Sequence, residues 1–290
     1  MKKLIEICLQ SRSSLCRNSE ILQISPVEGG CIHKAWRINL DDGRQLFAKT
    51  NTIKNFSLLK YEHECLLALK EFADLSTISI PSPLGLHKID NFSILILPWL
   101  ELKTGNQKNI GKGLALMHLE SSQKKQQPFG WGNDGFIGNS PQIKGWNNNW
   151  GDFFVNSRLK PQLEMASKWG FDYVKYNPLV AFLTSFLNNH NPKSSLLHGD
   201  LWSGNCGVTI NDKGTIFDPA SYWGDREVDI AMTKLFGGFT NDFYNSYDEI
   251  WEIPKSAKER ENIYNLYHLL NHANIFGGSY KNQSVHLIEK

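Results

Sequence analysis

The spacing of apolar and polar residues divides the chain into a first third with the two-residue period of β-strands and a remainder with the period of α-helices. In the first third we expect antiparallel strands within residues 21–48, 85–89 and 92–97, a helix over residues 1–16 and a second helix over residues 57–72. This order is typical of a small sheet lobe with one important helix packed against it.

From residue 109 onward the apolar positions recur every three to four residues, which indicates a mainly helical region. Residues 121–150 are polar and glycine-rich with little period, and we interpret them as an insertion of loops on the substrate side. The predicted class is α+β with two lobes, a sheet lobe of residues 1–100 and a larger helical lobe of residues 101–290. The later helices are expected over residues 151–169 and 177–189 and from near residues 228 and 257.

One loop in the second lobe carries the residue types that metal-dependent phosphoryl transfer requires. Asp200 can accept the proton of an attacking hydroxyl, while Asn205 and Asp218 supply oxygen ligands suited to Mg²⁺. Turn residues at 211–214 predict a hairpin that brings Asp218 back to the Asp200 loop. The alternative is that Asp200 and Asn205 only cap turns. Turn capping readily accounts for one such residue, but it does not account for Asp200, Asn205 and Asp218 occurring together at this spacing.

The first lobe supplies candidates for holding a nucleotide. Gly29 and Gly30 form a turn between strands, and strand alternation lets Lys49 project into a cleft beneath that turn. Glu64 is the expected ion-pair partner of Lys49, with Glu62 as the second choice. Each feature alone is more often an ordinary turn or a solvated lysine. Their order along the chain favours a two-lobed phosphotransferase.

Residues 98–101 are expected to form the hinge between the two lobes. Backbone groups at a hinge can pair with the edge of an adenine ring. We therefore expect Leu97 and Trp99, which stand at this point, to contribute to the nucleotide site.

Segments that span nearly the whole chain resemble the fructosamine kinase family, or ketosamine 3-kinases, a branch of the aminoglycoside phosphotransferase and protein-kinase-like fold. The matching segments include GGCIHKAW at 29–36, LLHGDLWSGN at 196–205 and FDPASYWGDREVDIAMTKLFGGF at 217–239. The last two together are the most specific. The resemblance implies a protein-kinase-like two-lobed fold and ATP-dependent phosphorylation of the sugar 3-hydroxyl of ketosamines, carried by a small amine or a protein lysine. The 3-phosphate makes the adduct unstable, which implies a role in deglycation.

The resemblance also implies roles for individual residues. Asp200 is implied to be the catalytic base, with Asn205 and Asp218 as Mg²⁺ ligands. The residues implied to hold ATP are Gly29, Gly30, Lys49 and Glu64. The residues implied to support the catalytic loop are His198, Asp225 and Asp229, of which Asp229 braces the loop through backbone hydrogen bonds. The GDRE sequence at 224–227 resembles bacterial and plant members, which favours ribulosamines or erythrulosamines over fructosamines.

Aromatic residues are frequent in the chain, with 9 Trp among 290 residues. Sugar C–H faces and amines both pack well on aromatic rings. Trp202 follows the expected base by two positions, and we expect it to contact the substrate. Burial within the larger lobe is the alternative.

Charge and hydropathy narrow the class of partner. The chain has 31 Lys and Arg against 29 Asp and Glu, a net charge of +2 without a sustained basic run, which argues against nucleic acid. Polar residues interrupt the opening segment, so it does not resemble a signal peptide, and the apolar run at 94–100 is too short to span a membrane. We expect a cytoplasmic protein, monomeric or homodimeric, without a membrane partner.

The 5 cysteines show no paired metal-ligand spacing, as expected in a reducing compartment. Cys31 directly follows the glycine turn, where backbone amides favour anions, including a thiolate. Our hypothesis is that oxidation of Cys31, or its pairing with the same residue of a second molecule, blocks ATP binding. An inert small residue is the alternative.

Two other functions fit many of the same residues. One is a kinase for another small hydroxylated amine, such as an aminoglycoside or a choline-like compound. The other is a nucleotide-binding regulatory pseudokinase, although a pure binding protein has no need of the proton acceptor at Asp200. His268 and His272 have the spacing of a zinc pair, but no Glu follows His268, so we interpret both as core or cleft-lining residues.

Overall fold

The first lobe is built around an antiparallel sheet in this computed structural model, which describes residues 2–11, 19–29, 32–125 and 127–290. Its elements are α1 (Lys2–Ser11), β1 (Ile21–Val27), β2 (Lys34–Leu40), β3 (Gln45–Thr52), α2 (Phe56–Phe72), β4 (Ile78–Ser79), β5 (Gly85–Ile89) and β6 (Phe92–Pro98). The strand order in the sheet is β1-β2-β3-β6-β5. The predicted strands and the second helix are confirmed, while residues 12–16 of the predicted first helix lie outside the described residues.

The sheet is covered on both faces, which explains the alternation along β3. Leu46 and Ala48 point toward α1 and share a core with its Ile5. Phe47 lies on the opposite face, against the core to which α2 contributes. Because alternate residues of a strand share a face, Lys49 lies on the Phe47 side. This side of the sheet faces the second lobe.

The second lobe is mainly helical, with short strands between the helices. Its first elements are β7 (Leu102–Lys103), α3 (Lys108–Lys124), β8 (Phe129–Trp131), β9 (Gly135–Ile137), β10 (Ser140–Gln142), β11 (Gly145–Asn147), α4 (Trp150–Phe154), α5 (Lys160–Ala166) and α6 (Asn177–His190). A π-helical turn, Val155–Leu159, joins α4 to α5. The remaining elements are β12 (Ser194–Leu196), β13 (Cys206–Thr209), β14 (Gly214–Ile216), β15 (Trp223–Asp225), α7 (Glu227–Leu235), α8 (Asn241–Trp251), α9 (Ala257–Phe276) and α10 (Ser279–Ile288).

Residues 121–150 are more regular than the sequence pattern predicts. α3 continues to Lys124, β8 and β11 join a sheet of order β11-β8-β15-β12, and β9 pairs with β10 in a hairpin. Strands of three residues are too short to show a period, which is why the pattern misses them. The pattern also does not predict α8 and α10. Within the described residues, no helix combines the length and the apolar character that crossing a membrane requires.

The hairpin of β13 and β14 is held from both sides by segments near the hinge. β4, which precedes the hinge, pairs in parallel with β14, and β7, which follows it, pairs with β13. The resulting order is β4-β14-β13-β7. This sheet fixes the β13–β14 hairpin relative to the first lobe.

Candidate active site

Lys49 is held between two carboxylates. Its Nζ lies 2.7 Å from Oε1 of Glu62 and also contacts Oδ1 of Asp218. The side chains of Lys49 and Glu62 are only 8% and 9% exposed, so solvent screens this pair weakly. Burial opposes the charge on Lys49, but the two carboxylates outweigh it and raise the pKa of Lys49 above its usual range. Lys49 is therefore a fixed cation between the lobes.

The partner of Lys49 on α2 is Glu62, and the prediction of Glu64 is wrong. Glu62 lies on the buried face of α2. Glu64 is two positions further, roughly 200° around a helix of 3.6 residues per turn, and it contacts Lys60 at 3.6 Å and Asn133 at 3.3 Å instead. Burial raises the pKa of Glu62 to about 7, with Lys49 opposing.

The loop of residues 197–205 that follows β12, the predicted catalytic loop, is braced by Asp229 of α7, as predicted. The two carboxylate oxygens of Asp229 accept the backbone N–H groups of His198 and Gly199 at 2.7 and 2.8 Å. Nε2 of His118 lies 3.1 Å from the same carboxylate, and the Tyr247 hydroxyl lies 2.9 Å from the other ring nitrogen. Burial opposes ionisation of Asp229, but His118 and these N–H groups hold its pKa below the usual range.

His198 links the catalytic loop to the strand that leads to Asp218. Its Nε2 donates to the Phe217 carbonyl at 2.9 Å, and its Nδ1 accepts the backbone N–H of Asp200 at 3.3 Å. Burial lowers the pKa of His198, so the ring is neutral with its proton on Nε2. The next residue, Gly199, has φ +83°, and a Cβ there would lie 2.1 Å from a backbone oxygen. Only glycine fits this turn.

Asp200, Asn205 and Asp218 meet at the open end of the β13–β14 hairpin. Nδ2 of Asn205 donates to the backbone carbonyl of Asp200 at 2.9 Å and to its carboxylate at 3.2 Å. The backbone N–H of Phe217 donates to the Asn205 carbonyl at 3.0 Å, which places Asp218 one residue beyond this pair. The predicted hairpin therefore brings residues of distant sequence position to one place.

The pKa values of the two carboxylates in this cluster are shifted in opposite directions. Burial, and then the charge of Asp218, raises the pKa of Asp200 to about 7, which suits a group that accepts a proton near neutral pH. Burial opposes ionisation of Asp218, although 46% of its side chain is exposed. Lys49 outweighs this effect and holds the pKa of Asp218 below its usual range.

The oxygen atoms of this cluster fit a hard divalent cation. Because Nδ2 of Asn205 is turned toward Asp200, Oδ1 is the amide atom left to meet a ligand. Asp218 adds an anionic oxygen, and such a donor set is the one that Mg²⁺ prefers. Asp218 also has φ +57°, a backbone conformation that costs free energy in a non-glycine residue. Such a cost is expected where the direction of a side chain, here the Asp218 carboxylate, matters for function.

Asp225 supports α7 from below the catalytic loop. Its carboxylate accepts hydrogen bonds from the Tyr264 hydroxyl at 2.6 Å, from Nε2 of His190 at 3.0 Å and from the backbone N–H of Glu227 at 3.1 Å. Glu227 in turn forms two hydrogen bonds with Arg260 at 2.7 and 2.9 Å. This buried network joins α6, α7 and α9, so the predicted support role of Asp225 is structural.

The glycine turn is described only in part. Gly29 has φ +113°, and an added Cβ there would meet no atom within 4 Å, so the conformation is what favours glycine. Gly30 and Cys31 lie outside the described residues. The structure therefore does not test the hypothesis of redox control at Cys31.

Leu97 and Trp99, the residues expected to border the adenine, are both engaged with the sheet. Leu97 pairs with Phe47 of β3, and its side chain is buried. Trp99 donates its backbone N–H to the Gln45 carbonyl at 3.1 Å. This N–H is therefore not available to an adenine edge.

Trp202 packs on the catalytic loop itself. Its backbone N–H donates to the Asp200 carbonyl at 3.2 Å, and a Cβ added to Gly204 would lie 2.2 Å from the indole. The residue remains 39% exposed. The loop therefore holds an aromatic surface two positions from Asp200, and burial in the larger lobe does not describe it.

A buried chain of three polar side chains joins the lobes, and the sequence pattern does not reveal it. The Tyr61 hydroxyl donates to the Ser221 carbonyl at 2.6 Å and lies 2.8 Å from Oε1 of Gln142, while Nε2 of Gln142 lies 2.8 Å from the Tyr267 hydroxyl. The single hydrogen of the Tyr61 hydroxyl cannot be donated to both Ser221 and Gln142. With the Gln142 amide reversed, its nitrogen donates to the Tyr61 hydroxyl oxygen and its oxygen accepts from the Tyr267 hydroxyl, so that every group has a partner. Tyr61 falls in the predicted apolar stripe of α2, whereas Gln142 falls in the predicted loops.

Comparison with known proteins identifies the family of the chain. The family model for fructosamine kinase matches residues 4–290. A protein of Vibrio parahaemolyticus named as a probable ketoamine kinase is 37% identical over 289 residues, covering 98% of this chain and 97% of the relative. The chloroplastic protein-ribulosamine 3-kinase of Arabidopsis thaliana is 35% identical over 282 residues, covering 93% of this chain and 83% of the relative.

The fold agrees as well. A crystal structure from Haemophilus somnus 129PT, assigned as a fructosamine-3-kinase, has a TM-score of 0.86 at 29% sequence identity, covering 100% of this chain and 97% of that structure. The predicted α+β, protein-kinase-like fold with two lobes is thereby confirmed. The chain belongs to the fructosamine kinase family and is an ATP-dependent kinase that phosphorylates a hydroxyl group.

Proposed function

We propose that this ketosamine kinase transfers the terminal phosphate of ATP to the 3-hydroxyl of the sugar. The observation that carries the proposal is one cluster of residues: Asn205 contacts Asp200, and Asp218 contacts Lys49. The backbone hydrogen bond from Phe217 to Asn205 holds the two pairs side by side. A proton acceptor, two oxygen ligands and a cation are the groups that this transfer uses. The Arabidopsis relative, named for ribulosamine 3-kinase activity on proteins, supports the same acceptor class.

In the proposed reaction, Asp200 accepts the proton of the 3-hydroxyl. The sugar oxygen forms a bond to the γ-phosphorus, the bond from that phosphorus to the bridging oxygen breaks, and ADP leaves. A carboxylate whose pKa is about 7 can take up this proton at neutral pH. The backbone hydrogen bonds from His198 and Gly199 to Asp229 fix the loop that presents Asp200.

The nucleotide site uses both lobes. Asn205 and Asp218 would hold Mg²⁺, and the bound ion neutralises charge on the phosphate oxygens. Lys49 supplies a second positive charge, oriented by Glu62. Gly29 and Gly30 would lie over the phosphates, and Leu97 and Trp99 would border the adenine, with carbonyl groups rather than the Trp99 N–H facing it.

The acceptor site is centred on Trp202. An exposed indole beside Asp200 can pack against the C–H face of the sugar or beneath the carrier amine. We expect ribulosamines or erythrulosamines to be preferred over fructosamines, whether the carrier is a small amine or a protein lysine. The 3-phosphate destabilises the adduct, so the cellular role would be deglycation.

Phosphorus NMR tests the reaction and the position of the phosphate together. Enzyme, Mg²⁺ and ATP are incubated with ribulosyl-lysine or fructosyl-lysine, and the expected product is a phosphomonoester whose phosphorus couples to the proton on C3. Choline and an aminoglycoside are the comparison acceptors. A product only from those acceptors would establish the other small-molecule kinase, and ATP binding without any product would establish the pseudokinase.

A further inference from the structure

His33 directly precedes β2 and lies on the face of the sheet that carries Lys49. β2 and β3 pair so that Lys34 opposes Thr50 and Ala35 opposes Lys49, which places His33 opposite Asn51. Directly opposed residues of an antiparallel pair share a face, and a diagonal neighbour lies about 7–8 Å away. His33 is therefore the diagonal neighbour of Lys49, on the side of the sheet that faces the second lobe.

The Asn51 amide holds both the Ile32 backbone and the His33 ring. Its Oδ1 accepts the backbone N–H of Thr52 at 2.8 Å and Nδ2 of Asn55 at 3.1 Å. Its Nδ2 donates to the Ile32 carbonyl at 3.1 Å and lies 2.9 Å from Nδ1 of His33. A reversed amide would set oxygen against the Ile32 carbonyl and nitrogen against the Thr52 N–H. The orientation is thus determined by its neighbours, and Nδ1 of His33 must accept.

This hydrogen bond decides where the His33 proton lies. With Nδ1 accepting, a neutral ring carries its hydrogen on Nε2. Burial, followed by the charge of Lys49, lowers the pKa of His33 to about 4, with Asp218 opposing. The ring is therefore a neutral N–H donor at pH 7. Within the part of the chain that the structure describes, Nε2 has no hydrogen-bond partner.

We propose that Nε2 of His33 donates a hydrogen bond to a phosphate oxygen of the bound nucleotide, beside the Lys49 ammonium. This assignment rests on the proposed function, because it takes the space beside Lys49 as the phosphate site. The ligand class is a nucleoside di- or triphosphate. Adenosine lacks phosphates and therefore has no phosphate oxygen to accept this hydrogen bond.

A neutral donor suits this position on electrostatic grounds. Lys49 already lies between Glu62 and Asp218, and a second full charge nearby would disturb that balance. An N–H group adds a hydrogen bond to an anionic oxygen without adding charge. A nitrogen that carries hydrogen also cannot ligate Mg²⁺, so His33 does not compete with Asn205 and Asp218 for the ion.

Two substitutions separate the role of Nε2 from that of Nδ1. In His33→Asn, the side-chain amide can occupy the place of Nδ1 and keep the contact with Asn51, but no donor reaches the place of Nε2. In His33→Gln, the longer side chain can bring an N–H group to the place of Nε2. Lys34→Gln is the matched control, because Lys34 is the exposed neighbour on the opposite face of β2.

Titration calorimetry with ATP, ADP and adenosine, in the presence of Mg²⁺, reads the contact without relying on turnover. We expect His33→Asn to weaken ATP or ADP by about tenfold or more, the usual effect of losing a hydrogen bond to a charged group, and to leave adenosine unchanged. His33→Gln should bind ATP within about threefold of wild type. The melting temperatures of both variants serve to check folding.

Every other pattern overturns the assignment. Equal losses in both variants, or a loss confined to His33→Gln, would mean that His33 only shapes the turn through Asn51. No loss in either variant, or an equal loss for adenosine, would remove the phosphate contact. If the wild-type protein does not bind ATP, the proposed function is wrong as well. If the wild-type protein binds ATP and both His33 variants bind it equally well, only the role of His33 is wrong.

Discussion

Nζ of Lys49 and Oε1 of Glu62 lie 2.7 Å apart, and less than a tenth of either side chain is exposed. The pair fastens α2 to β3, and the contact of the same ammonium with Asp218 extends this link to the second lobe. Removing one partner of a buried ion pair leaves the other charge uncompensated, whereas an exposed pair contributes little. Substitutions of Glu62 and Glu64 should therefore have different consequences for activity.

We predict that Glu62→Gln lowers kcat/KM for ATP by about tenfold or more, because Lys49 loses the partner that orients it. Glu64→Gln is the matched control, since Glu64 contacts the half-exposed Lys60 at 3.6 Å. Steady-state kinetics at varied ATP should show a change of no more than about twofold for Glu64→Gln. Similar losses in the two variants would contradict the assignment of Glu62.

Asp200→Asn should separate the chemical step from nucleotide binding. The substitution keeps an oxygen for the hydrogen bond from Asn205 but removes the proton acceptor. We expect kcat to fall by about 10²–10⁴-fold and the dissociation constant for ATP to change little. The control is Asp212→Asn in the exposed turn of the β13–β14 hairpin. Turnover that survives in Asp200→Asn would refute the role of this residue.

Tyr61→Phe should destabilise the protein although the ring remains. The Ser221 carbonyl would lose the donor at 2.6 Å within a buried site, and an unpaired buried acceptor costs about 1–3 kcal/mol. Urea denaturation of wild type, Tyr61→Phe, Gln142→Leu and the double variant measures the coupling of the pair. Tyr173→Phe is the control, since the Tyr173 hydroxyl makes no hydrogen bond within the described ranges. Strictly additive losses would show that Tyr61 and Gln142 act independently.

His268→Met should flatten the dependence of stability on pH. His268 is fully buried, neither ring nitrogen has a hydrogen-bond partner among the described residues, and burial lowers its pKa to about 3. The unfolded chain takes up a proton below pH 6.5 while the folded chain does not, so the free energy of unfolding falls as pH decreases from about 6.5 toward 3. The slope from this residue approaches about 1.4 kcal/mol per pH unit.

Denaturant unfolding at several pH values between 7.5 and 4 tests this expectation. In His268→Met the acid loss of stability should be smaller, and stability at pH 7.5 should be close to that of wild type, because an apolar side chain of similar volume replaces an unpaired polar one. His286→Met, at an exposed position of α10, should keep the wild-type pH dependence. Parallel curves for His268→Met and wild type would contradict the prediction.

Local sequence patterns were sufficient to predict much of the fold and of the candidate site. The alternation along residues 45–49 assigns Leu46 and Lys49 to opposite faces, and a strand keeps that relation in any tertiary setting. The turn at residues 211–214 closes a hairpin, which by itself brings Asp218 back to Asn205. These features depend on neighbours within a few residues, so the sequence is sufficient to predict them.

Contacts between elements required the tertiary structure. Glu62 and Glu64 both flank the apolar stripe of α2, and only the rotation of that helix against the sheet decides which of them meets Lys49. Gln142 reaches Tyr61 across 81 residues, from strands too short to show a period. The proton position on His33 depends in the same way on the Asn51 amide from the neighbouring strand.

The sequence by itself determined the class of chemistry, because the residue types and their local spacing fix which groups can accept a proton, ligate a metal or meet a phosphate. The tertiary structure decided the partners of those groups and their protonation. The physical reason is that both depend on burial and on charges brought close by long-range packing, which no local period encodes.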